Sequence, residues 1–107
     1  MRKQTITEKF QLVLTTEDLM RLRITERSNH DIVIVADVHG MKCYQARRFI
    51  NNLINLVNGA FLLVIIHGYN HGTAIKDMLA QNFSNSHIQH QFTDPHNPGI
   101  TQMVLAA

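Results

Sequence analysis

Two short polar stretches hold the residues best suited to chemistry: Asp37-Val38-His39-Gly40 and His67-Gly68-Tyr69-Asn70-His71-Gly72. A carboxylate two residues before a histidine on extended backbone projects to the same side, so Asp37 is expected to orient and polarise the His39 imidazole. Glycines at 68 and 72 let a backbone approach an anion closely, and the stretch opens a helical pattern whose unpaired N–H groups favour negative charge. Asp37, His39 and His67 are therefore candidate catalytic residues. Gly68, Tyr69, Asn70, His71 and Gly72 are candidate nucleic-acid contacts, with Lys42 and Arg47 close enough in sequence to the first stretch to add charge. An anion cradle beside an acid–base pair suits a phosphodiester. His67 has a plainer alternative, which is to lock its loop by hydrogen-bonding backbone. Tyr69 and His71 have one as well, as exposed loop residues, and Asp37 as a strand-end turn former.

These stretches would need to be brought together by the elements that precede them. Residues 32–36 and 61–66 are continuous apolar runs rich in β-branched residues, expected to form strands covered on both faces. Between them, Ala46, Phe49, Ile50, Leu53, Ile54 and Val57 recur at helical spacing, and Asn58-Gly59 supplies a left-handed stop. Ile75, Met78, Leu79 and Phe83 mark a second amphipathic helix. Residues 87–92 and 100–105 alternate as strands on either side of an Asp94-Pro95-His96-Asn97-Pro98-Gly99 turn cluster. The order is β-α-β-α-β-β, which predicts an α/β fold: a two-layer α+β sandwich with a mixed four-stranded sheet and two helices. The first two strands should be parallel, so both polar stretches emerge at their carboxyl edge, where open α/β sheets bind ligands.

Residues 1–30 read as an N-terminal arm, with the polar break Ser28-Asn29-His30-Asp31 as the boundary to a domain over 31–107. Phe10-Gln11-Leu12-Val13-Leu14 suggests a short strand, Thr15 and Asp18 have capping-box spacing, and residues 19–24 fit either a helix or a strand. The arm carries the whole net charge of +2, six basic side chains against four acids, while the body is neutral. Any polyanion affinity should therefore come from Arg2, Lys3, Arg21, Arg23 and Arg27 lying beside the two loops.

Composition excludes several classes. The chain of 107 residues is 45% hydrophobic and 17% charged, which fits one globular domain rather than disorder. Its longest apolar run, residues 60–66, is far short of a membrane span, so no membrane partner is expected. A lone cysteine, Cys43, forms no internal disulfide and points to a reducing, cytoplasmic compartment. His67-x3-His71 and His87-x2-His90 have zinc-like spacing, but no Cys or Glu joins them, so neither metal nor cofactor is expected.

The two stretches also match a known pattern. Val35-Ala36-Asp37-Val38-His39-Gly40-Met41 resembles the LDLHG signature of the Smr (small MutS-related) domain family, and Ala46 fits the alanine usual in the following helix. Val64-Ile65-Ile66-His67-Gly68 with Gly72 resembles the family's VIHGxGxG signature, and residues 99–105 its glycine-rich turn and last strand. The resemblance spans about residues 32–106. It implies a fold like the C-terminal domain of translation initiation factor three. It also implies binding of RNA or DNA, in some members at the ribosome, and endonuclease activity with little or no metal dependence. Asp37, His39, His67, Gly68 and Gly72 fall on the family's motif positions. Tyr69 replaces a commonly basic residue, Asn70 a glycine, and Lys42 a helix-opening Thr or Ser. His71 would restore the missing charge when protonated. Two other functions are compatible with the same residues: a non-catalytic module that binds nucleic acid or the ribosome, and a binder of a phosphorylated small molecule.

Overall fold

Alternating burial along the central strands shows that only one face of the sheet is covered. In the computed structural model, which describes residues 2–70 and 72–106, β2 (Ile32–Asp37) buries Ile32, Ile34 and Ala36 but leaves Val33 and Val35 partly exposed. β3 (Phe61–Ile66) behaves the same way, burying Phe61, Leu63 and Ile65. The expectation of double cover is corrected. Every helix that packs on the sheet lies on one side, so the second set of Val, Leu and Ile side chains forms an open apolar face.

The elements run α1 (Arg2–Val13), α2 (Thr16–Met20), β1 (Leu22–Glu26), β2, α3 (Cys43–Leu56), β3, α4 (Ala74–Gln81), β4 (Ile88–Thr93) and β5 (Ile100–Leu105). They form an α/β, two-layer structure with a mixed five-stranded sheet in the order β1-β2-β3-β5-β4. β2 and β3 are parallel, as expected, and the other pairings are antiparallel. The expected strands over residues 32–36, 61–66 and 100–105 form with bounds within one residue. α3 ends at Leu56, Val57 turning to extended backbone while still buried in the core, and Gly59 takes φ +93° in the turn to β3.

The extra strand and helices come from residues 2–26, and they correct the reading of an arm. The 10–14 segment is helix, not strand. Ile6, Phe10 and Leu14 recur every four residues, and α1 lays Ile6 and Phe10 into the shared core, Phe10 only 1% exposed. Thr15 caps α2 through a bond from the Asp18 N–H at 3.1 Å. Residues 19–24 are partly both alternatives, helix to Met20 and strand from Leu22. β1 pairs along its whole length with β2, so Ser28-Asn29-His30 is a hairpin loop rather than a domain boundary. No described helix is long and apolar enough to cross a membrane.

Candidate functional site

Parallel pairing of Asp37 with Ile66 brings the ends of β2 and β3 side by side, and the Val38 N–H donates to Ile66 O at 2.9 Å. The two polar stretches therefore meet. A Cβ placed on Gly68 would lie 3.9 Å from His39 Cβ. Between them opens a cavity of about 570 Å³ lined by His39, Gly68, Tyr69, Asn70, Gly72 and Lys76, among others. Gly40, Gly68 and Gly72 have φ of +81°, +74° and +107°, a backbone that side chains with a Cβ rarely adopt.

Asp37 and His39 form the pair expected of them. The His39 Nδ1–H donates to Asp37 Oδ1, which also accepts the His39 backbone N–H at 3.1 Å. Because a carboxylate only accepts, this contact fixes the proton on Nδ1 and leaves Nε2 as the open nitrogen. The side chains are 69% and 38% exposed, so that nitrogen meets solvent. Arg21 supports the pair from outside the motif. Its Nη1 donates to the carbonyl oxygens of Asp37 (3.1 Å) and His39 (3.3 Å), while its own carbonyl accepts the Asp37 N–H at 2.9 Å. Sequence reasoning had grouped Arg21 with four other arm cations, and of these only Arg21 sits at the loops. Arg2 binds Asn58 O and Ala60 O at the opposite end of the sheet. Lys3 and Arg27 lie with the far end of β1, and Arg23 is on the open face opposite Val35.

His67 points inward. It is 7% exposed, its Nδ1–H donates to Gly68 O at 2.9 Å, and its Nε2 lies 2.9 Å from Thr101 Oγ1. In the neutral ring Nε2 accepts from the threonine hydroxyl, so both nitrogens are engaged. This is the loop-locking alternative, with the ring held in the wall of the cavity rather than projecting into it. The Gly68 N–H is likewise spent, donating with the His67 N–H to Gly99 O at 3.0 and 2.9 Å. The anion seat therefore begins one residue later than expected. Among the described residues, the N–H groups of Tyr69, Asn70 and residues 72–76 have no backbone or side-chain partner. Asp77, in the first turn of α4, takes a bond from Thr73 Oγ1 at 2.9 Å and is the one acid at that helix end.

The remaining candidates divide. Tyr69 is 51% exposed, and its ring lies against Gly99, where an added Cβ would be 3.1 Å from Cδ1. His71 lies outside the described residues. Lys42 precedes α3 with its N–H on Gln45 Oε1 at 3.0 Å, and neither it nor Arg47 lines the cavity. The cation that does is Lys76, which sequence reasoning missed because it looked for charge after the first stretch, at His71 and in residues 1–30. Its signal was its place in the first turn of the helix after Gly72, where a side chain leans back over the preceding loop. Asn97 completes the wall, accepting the Gly99 N–H at 2.9 Å. No three His, Cys, Asp or Glu side chains come together as metal ligands among the described residues.

In comparisons with known proteins, the chain matches no family model, no curated protein and no solved structure.

Proposed function

We propose that the chain is an Smr-type nucleic-acid-binding domain whose loop cavity takes a phosphodiester and cleaves it in RNA. The observation that carries this reading is the Asp37–His39 pair with its free Nε2, set beside a run of unpaired N–H groups and Lys76. The unpaired amides and the ammonium hold the phosphate oxygens. His39 Nε2 removes the proton of the adjacent 2′-hydroxyl, O2′ bonds to phosphorus, and the P–O5′ bond breaks. The products are a 2′,3′-cyclic phosphate and a 5′-hydroxyl, whose proton is the one His39 removed, relayed through water. Asp37 holds the ring and stabilises the imidazolium, Arg21 holds the backbone of both, and His67 holds the loop. The lone free thiol, Cys43, supports a reducing, cytoplasmic setting.

Labelled single-stranded RNA, with and without chelator, tests the proposal. Cleavage should persist in chelator, stop on a fully 2′-deoxy strand, and fall about 10²–10⁴-fold in His39→Ala. Undiminished cleavage by His39→Ala overturns it. A second reading, a non-catalytic nucleic-acid or ribosome-binding module, is favoured by one observation. His67 has no nitrogen to spare, which leaves a single open imidazole at the described site and no partner acid for the leaving oxygen. Tight binding without cleavage would select that reading.

A further inference from the structure

The loop cavity is not isolated. Gly40 and Met41 on its rim also border a second cleft, walled by Arg21, Arg48, Gln45 and Asn52. Arg48 and Asn52 in turn border a third groove, with Tyr44 and Arg47 on its far side. The three depressions thus share rims and run without interruption from Tyr69 to Tyr44. The floor of the second and third is the solvent side of α3, where Tyr44, Arg48 and Asn52 follow one another at four-residue spacing, opposite the buried Ala46, Phe49, Ile50 and Leu53.

We propose that this path is the binding track of a single-stranded polynucleotide that extends beyond the phosphate in the loop cavity. The inference rests on the proposed function and names the form of its substrate. Three features of the path select it. Arg47, Arg48 and Lys76 have no carboxylate within 4.0 Å among the described residues, and Arg21 bonds only backbone oxygens, so four positive charges along the path are unneutralised. Tyr69 and Tyr44, 51% and 60% exposed, stand at its two ends as flat faces for bases. Only an unpaired strand presents base faces for stacking, whereas a duplex hides them. Gln45, Asn51 and Asn52 supply neutral donors and acceptors between the cations. The stretch of α3 from 43 to 52 rises about 14 Å at ~1.5 Å per residue, room for roughly four stacked nucleotides at ~3.4 Å each. Glu17 and Asp18 stand in the second cleft and oppose the polyanion.

The test is fluorescence anisotropy on the full chain with a labelled RNA dinucleotide, the single-stranded octanucleotide and the octanucleotide duplex. The octanucleotide should bind more tightly than both others. Arg48→Gln and Tyr44→Ala, both at exposed positions, should each weaken it about five-fold or more while leaving the dinucleotide unchanged. Arg48→Gln should also lower the salt slope by about 0.7. Glu17→Gln should tighten octanucleotide binding. Equal affinity for dinucleotide and octanucleotide, with Arg48→Gln silent, overturns the track and leaves the proposed function standing. Tighter binding of the duplex overturns the single-strand assignment, and binding of no RNA at all overturns the proposed function with it.

Discussion

Thr101→Val probes the lock that shapes the loop. The substitution keeps the side chain's outline and removes the hydroxyl that lies 2.9 Å from His67 Nε2, in a site where Thr101 is 4% exposed and His67 7%. Nε2 is then a buried acceptor with no donor, and such a group costs about 1–3 kcal/mol. Taking about 2 kcal/mol, and about 4–8 °C per kcal/mol for a domain near this size, the melting temperature should fall by about 8–16 °C. Thr101→Ser restores the hydroxyl and should recover most of that loss. Differential scanning calorimetry gives the stability, and ¹⁵N NMR of the imidazole reports the tautomer directly. The wild-type ring should show a protonated Nδ1 and an unprotonated, hydrogen-bonded Nε2. A Thr101→Val melting temperature within about 2 °C of wild type, or a proton found on Nε2 of the neutral ring, would refute the lock. His67 would then be free to act on a ligand.

Three further outcomes follow from the same contacts. Phe10→Ala, which empties a position only 1% exposed, should cost about 3–5 kcal/mol in urea denaturation; a loss under about 1 kcal/mol would mean that α1 is a dispensable arm. Gly99→Ala would place a Cβ 3.2 Å from Gly68 Cα and 3.1 Å from the Tyr69 ring. It should cost about 1–3 kcal/mol and shift the amide resonances of Gly68 and Tyr69, and an unperturbed loop spectrum would contradict the close approach. The Asp94 carboxyl is held below the ordinary aspartate range chiefly by the His96 N–H, then by the Gln102 amide. Its contribution is therefore fully present above the unfolded value of about 3.9 and lost as pH falls below it through the folded value. The turn over 94–97 should accordingly stay closed at pH 5 and open in more acidic solution, as followed by His96 amide exchange; opening already at pH 5–6 would count against that bond.

Legibility of the fold tracked how local each signal is. The β2 and β3 runs, the period of α3 and the Asp94–Gly99 turn cluster are short-range patterns, and each element formed close to its expected bounds. α1 was misread because Phe10-Gln11-Leu12-Val13-Leu14 looks like a strand in isolation. Leu12 and Val13, which made it look so, are exposed at 87% and 58%. The wider spacing of Ile6, Phe10 and Leu14 carries the helical signal, and it shows only when Ile6, outside that window, is included.

What the sequence determined by itself is the pairing of the two loops. Two apolar runs, each ending in a glycine-bearing polar stretch and joined by one amphipathic helix, have to lie parallel and present those stretches at one edge. The Asp37–His39 contact followed from a two-residue spacing on extended chain. Tertiary structure alone decided which groups at that edge stay available. His67 and the Gly68 N–H were consumed by Thr101 and Gly99, partners more than thirty residues away, while Lys76 and Arg21 arrived from a helix start and from the strand pairing β1 to β2. It also left one face of the sheet open, because a run of Ile, Val and Leu reads the same whether one side or both are covered. Residue type fixes what a side chain is able to do. Whether its polar atoms are already satisfied depends on neighbours that only the folded chain supplies.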